Sequence, residues 1–100
     1  MEVTKEQIEA WKKEHTYVYR TKFDNDFYYF RTLTRSDYDR ITSEQAADPI
    51  GYNYEKSVVE TCILSEHPAD IFDKKSGIVI VLSEAIFIRS GFQQVDIEEL

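Results

Sequence analysis

The chain has one cysteine, two histidines, three glycines and two prolines among its 100 residues. Each scarcity excludes something. One cysteine, Cys62, forms no intramolecular disulfide, so a disulfide framework is excluded and a reducing compartment fits best. A zinc site needs several Cys, His or carboxylate ligands that converge, and His15, His67 and Cys62 stand at spacings that match no such motif. Three glycines, Gly51, Gly77 and Gly91, make no phosphate-cradling loop. No apolar run approaches the roughly 20 residues that span a bilayer. The start of the sequence goes straight into charged residues, so no secretory signal is expected.

Basic charge is also short. Lys and Arg number 12 against 19 Asp and Glu, for a net charge of −7. A nucleic-acid binder gains affinity by neutralising phosphates, and the field of this chain repels phosphate and anionic lipid. The expected partners are therefore proteins, with no nucleic acid and no membrane. Apolar residues make up 42% and aromatics 14%, too many for a disordered chain. One hundred residues with no linker, repeat or low-complexity stretch read as a single domain, 1–100.

Local signals set out the elements. Thr4-Lys5-Glu6-Gln7 reads as a capping box, with Ile8 and Trp11 on one helical face and the helix ending near His15. Residues 17–32 read as a β-hairpin, rich in Tyr, Val, Thr and Phe and broken by the turn-forming Asp24-Asn25-Asp26. That acidic triplet lacks the Gly and the distant Glu of a calcium loop. The strongest local signal is Leu33-Thr34-Arg35-Ser36-Asp37-Tyr38. Thr34 is placed as N-cap, Asp37 as the acid three residues on, and Leu33 and Tyr38 as the two halves of a hydrophobic staple. This helix should fade by Ala47, before Asp48-Pro49.

A third helix is expected over 52–64, with Tyr54, Val58 and Cys62 on one face. That face makes Cys62 a small core residue rather than a nucleophile. A polar connection follows, anchored by Ile71 and Phe72. Residues 77–89 are β-rich in propensity at Ile78-Val79-Ile80-Val81, but length and the Ile78, Leu82, Ala85, Ile86 face favour a helix, started by Ser76 and stopped by Gly91. The tail from Gln93 is acidic and expected to fray. The fold class is α+β: an N-terminal helix, a two-stranded β-hairpin, then three helices packed on it.

Successive aromatics at Tyr28, Tyr29 and Phe30 require apolar company on both faces of their strand, or leave one face as a contact surface. Tyr is enriched at binding hot spots. The candidate protein-binding residues are accordingly Tyr17, Tyr19, Tyr28 and Phe30, for a partner or for homo-oligomer formation; the alternative is that helices cover both faces. No catalytic, metal-ligating or cofactor-binding set emerges, and no enzyme activity is expected. Asp37 and Asp39, two apart on a helix, do not face each other as an acid–base pair.

The run Tyr17-Val18-Tyr19-Arg20, then Phe27-Tyr28-Tyr29-Phe30-Arg31-Thr32-Leu33-Thr34-Arg35-Ser36-Asp37-Tyr38, resembles the aromatic-Arg-x-Leu-Thr/Ser-Arg-x-x-Tyr segment of small tail-assembly proteins of tailed bacteriophages. These include tail assembly chaperones and T-even-type baseplate hub assembly proteins. Cys62-Ile63-Leu64 and the stretch from Ser76-Gly77-Ile78 to Ser90-Gly91-Phe92 resemble their C-terminal half. The pattern departs at Ser65-Glu66-His67 and at Ser76. The resemblance implies a protein that binds phage tail proteins, such as the helical tape-measure protein, in the cytoplasm of the infected bacterial host. A permanent virion or baseplate component, or a small acidic phage inhibitor of a host defence system, is the alternative. Interleaved charges such as Lys5/Glu6 and Asp39/Arg40 weigh against an inhibitor that mimics nucleic acid.

Overall fold

The computed structural model describes residues 3–67, 70–92 and 95–100. In chain order the elements are α1 (Lys5–Glu14), β1 (Val18–Phe23), β2 (Asp26–Arg31), α2 (Arg35–Ala47), α3 (Tyr54–Cys62), α4 (Ile71–Lys74) and α5 (Ser76–Arg89). The mixed α+β architecture is the one the sequence implies, with a four-residue helix, α4, added where a polar connection is expected. Phe72 on α4 is buried, so this short turn of helix is the form that its apolar anchor takes.

The strands pair antiparallel, with Tyr19 opposite Phe30, Arg20 opposite Tyr29 and Thr21 opposite Tyr28. Phe23 pairs with Asp26, which leaves Asp24 and Asn25 as a two-residue loop. Asp24 takes φ 53°, a left-handed conformation that Asp tolerates better than most residues. Its carboxylate meets Lys75 Nζ at 2.8 Å, tying the hairpin tip to the start of α5.

Beyond β2 the sheet edge is not bare. The chain after α3 returns along it: Phe30 bridges Ile63, Leu64 N–H donates to the Tyr29 carbonyl at 2.8 Å, and Tyr29 N–H donates to Ser65 Oγ at 3.0 Å. Pairing an edge in this way satisfies backbone groups that would otherwise be orphaned.

Helix caps follow the local chemistry closely. Thr34 Oγ1 accepts from Asp37 N–H and the Asp37 carboxylate accepts from Thr34 N–H, a complete capping box. At α1 only half of the expected box forms among the described residues: Thr4 accepts from Gln7 N–H, without a return bond from the Gln7 side chain. Ser76 is different: it lies inside α5, whose N-cap is Lys75, and no side chain caps that end. The C-terminus of α5 does use glycine. Gly91 at φ 96° lets Gly91 N–H reach the Ile88 carbonyl and Phe92 N–H reach the Phe87 carbonyl, a Schellman motif. The Phe87 and Phe92 rings meet edge to face at 5.2 Å, its usual apolar partner contact.

The core is one cluster. Tyr28, Phe30, Leu33 and Ile41 meet Val58, Val59 and Cys62 of α3 and Ile78, Val79, Leu82 and Ile86 of α5. α3 lies against α5, α2 against α3, and α4 against α5. The tail beyond Phe92 is described only at 95–100, which is exposed and has no secondary structure; the expectation for Gln93 and Gln94 lies outside the described residues. Among the described residues no helix is long and apolar enough to cross a membrane.

Candidate protein-contact surfaces

Strand pairing decides which hairpin face is inside. Cross-strand partners share a face, so Tyr19, Thr21, Phe23, Tyr28 and Phe30 look one way, and Val18, Arg20, Lys22, Phe27, Tyr29 and Arg31 the other. The first face is the core. Tyr28 is 4% exposed and Phe30 2%. These two rings are therefore structural, which corrects the expectation that they belong to a contact face. The helices that follow supply enough apolar surface to bury them. Tyr19 is half-buried, stacked on Phe30 at 5.8 Å with the Arg89 guanidinium 5.3 Å from its ring centre. Of the four residues expected to bind a partner, Tyr17 alone is exposed.

The second face is covered at one end. Trp11 of α1 lies 5.7 Å from Tyr29, and Arg20 Nη1 reaches Tyr29 Oη at 3.4 Å. At the other end Phe27 stays exposed under Arg20, whose guanidinium sits 4.5 Å from its ring centre. Parity along the strand separates this outward ring from Tyr28 and Phe30, and the cover from Trp11 separates it from Tyr29. An open groove of about 510 Å³ runs beside it, lined by residues including Arg20, Phe27, Ser65, Glu66 and His67.

A further uncovered apolar surface is on α5. From Ile78 to Ile88 every residue but Ser83 and Glu84 is apolar, and a helical stretch apolar on nearly all sides is ordinarily buried. Here Ile78, Val79, Leu82 and Ile86 are buried, while Ile80 is 51% exposed, Val81 49% and Ile88 57%. The spacing of Ile78, Leu82, Ala85 and Ile86 marks the inner face; nothing in the sequence assigns the outer one.

Reactive chemistry is thinly represented. Cys62 is fully buried. Burial pushes its thiol up to about 12, against a smaller opposing pull from Arg31, so it stays protonated at neutral pH. Among the described residues no three His, Cys, Asp or Glu side chains are grouped to hold a metal ion. Arg31 pairs with Asp37 at 2.7 Å and Arg35 with Asp39 at 3.1 Å.

No family model matches the chain, and no curated protein does. A solved structure, that of an uncharacterised protein from Bacillus stearothermophilus, is similar over 92% of this chain and 99% of its own, with a TM-score of 0.63 and 16% identity. The likeness is one of fold.

Proposed function

We propose that this chain is a non-enzymatic phage tail-assembly protein that binds tail components, such as the tape-measure protein, during morphogenesis in the cytoplasm of the infected host. The sequence resemblance supplies the class. The observation that carries the binding role is the bare aliphatic strip on α5, a helix whose opposite side is the centre of the core. A strip seated on so rigid a support presents a fixed surface, and exposed apolar patches of this kind mark interaction sites. Several acidic groups sit in local ion pairs beside their bases rather than in a row of bare carboxylates, as in Arg35–Asp39, Arg40–Glu44 and Lys74–Asp70. That arrangement favours a protein binder over an acidic mimic of nucleic acid.

Affinity capture from infected cells, read by mass spectrometry, tests the proposal. Tail proteins enriched over an untagged control are the expected result. Capture of host defence proteins without tail proteins would overturn it.

A further inference from the structure

The outer face of α5 carries a pattern as well as apolar area. Gly77, Val81, Glu84 and Ile88 are spaced four, three and four residues apart, with Ile80 beside them. This is the alternating spacing by which one α-helix presents a seam to another. Gly77 opens the seam at its N-terminal end, because a Cβ built there would meet nothing within 4 Å. A small residue at that position lets a second backbone come close.

Charge narrows the occupant. Glu84 is the one charged residue between Gly77 and Ile88. It is exposed and has no hydrogen bond or ion pair among the described residues. Beside Ile80 a groove of about 210 Å³ continues the face, and its charged lining is Glu55 and Asp73 against Lys56. A second copy of the chain is a poor occupant. It would bring −7 against −7, and an isologous pairing across the seam sets Glu84 near Glu84. Three aliphatic side chains, each about half exposed, also fall well short of the ~800 Å² per partner of a standard stable interface. They suit one helix laid along one helix, with apolar anchors at the same spacing and a basic residue opposite the lone acid.

We propose that the outer face of α5, formed by Gly77, Ile80, Val81, Glu84 and Ile88, docks a single amphipathic α-helix of a partner protein that places Lys or Arg against Glu84. This deepens the binding role proposed above and rests on it.

The test uses two fluorescent three-heptad peptides with Leu at the seam positions. One carries Lys and the other Glu at the flanking positions, and both are used at concentrations where sedimentation shows them monomeric. Anisotropy is read with the full chain. The basic peptide should bind the wild type at least about tenfold more tightly than the acidic one, a difference of about 1.4 kcal/mol. Val81→Asp should abolish binding with the circular dichroism unchanged, and Glu84→Lys should reverse the preference. Binding that survives Val81→Asp, or a preference that ignores Glu84→Lys, overturns the proposal. So does a wild-type dimer that Val81→Asp dissociates, since the face would then belong to a second copy. If Val81→Asp unfolds the chain, Val81 is a core residue and the premise fails; Glu84→Lys, at an exposed position, tests the charge pairing independently. No peptide binding alongside capture of tail proteins removes the α5 assignment alone. Peptide binding without capture of tail proteins removes the tail-assembly reading alone.

Discussion

Arg31 Nη1 donates to Asp37 Oδ2 at 2.7 Å, and the same oxygen accepts the Thr34 N–H at 3.1 Å. One carboxylate thus fastens the end of β2 to the first turn of α2. Burial of Asp37 raises its pKa, but the hydrogen bonds from Arg31 and Thr34 outweigh that, and the carboxyl is held below its ordinary value. A depressed native pKa gives stability that is fully present above the unfolded value and is lost as pH falls through the native one. The wild type should therefore lose stability on acidification below the usual carboxylate range. Asp37→Asn should be less stable at neutral pH by about 2 kcal/mol and should show a flatter acid limb in urea melts taken across pH. Parallel acid limbs would remove Asp37 from this role.

The cap itself is separable from the ion pair. Thr34→Ala removes the acceptor for Asp37 N–H and should cost about 1 kcal/mol, seen as a lower denaturant midpoint with the slope unchanged. An unchanged midpoint would contradict it.

Core and surface positions of α5 should part sharply. Leu82→Ala and Ile86→Ala, both at fully buried sites, should each cost roughly 2–5 kcal/mol. Val81→Ala, on the outer face, should stay within about 0.5 kcal/mol. Thermal melts of the three variants separate the faces directly.

The hairpin rings should divide the same way. Phe30→Ala should cost about 3–5 kcal/mol, whereas Tyr17→Ser should leave the melting temperature nearly unchanged. A Phe30→Ala variant as stable as the wild type would return that ring to the surface.

Ser90 is a quieter determinant. Its hydroxyl accepts from Leu33 N–H at 2.8 Å and donates to the Ile86 carbonyl at 2.6 Å, joining the approach to α2 with the end of α5. Ser90→Ala leaves the Leu33 N–H without its partner and should cost about 1–3 kcal/mol in chemical denaturation, while Ser90→Thr restores part of it.

What the sequence disclosed was mostly local. The α2 cap, its end at Ala47 and the stop at Gly91 are written in neighbouring residues. So is the helical state of α5, where length and facing outweigh a β-rich Ile-Val-Ile-Val run. What stayed hidden depends on residues far apart. Ser65 meets Tyr29 across 36 residues and Ser90 meets Leu33 across 57, and no local pattern marks either serine. The burial of Tyr28, Tyr29 and Phe30 on opposite faces needs α1, the 63–65 segment and the core helices together. Ser76 looked like a cap because its type suits one, but the helix starts at it rather than after it. The outer face of α5 is concealed by its apolar composition: Ile80, Val81 and Ile88 are residue types that are usually buried, and their spacing places them on that face without saying that it stays bare.

The proposed role, holding a tail component, is tested by co-expression with the tape-measure protein. Size-exclusion chromatography of the soluble fraction should show the two chains co-eluting, with Val81→Asp releasing the tape-measure protein while remaining folded itself. Separate elution of wild-type chain and tape-measure protein, with no other tail protein captured from infected cells, would contradict it.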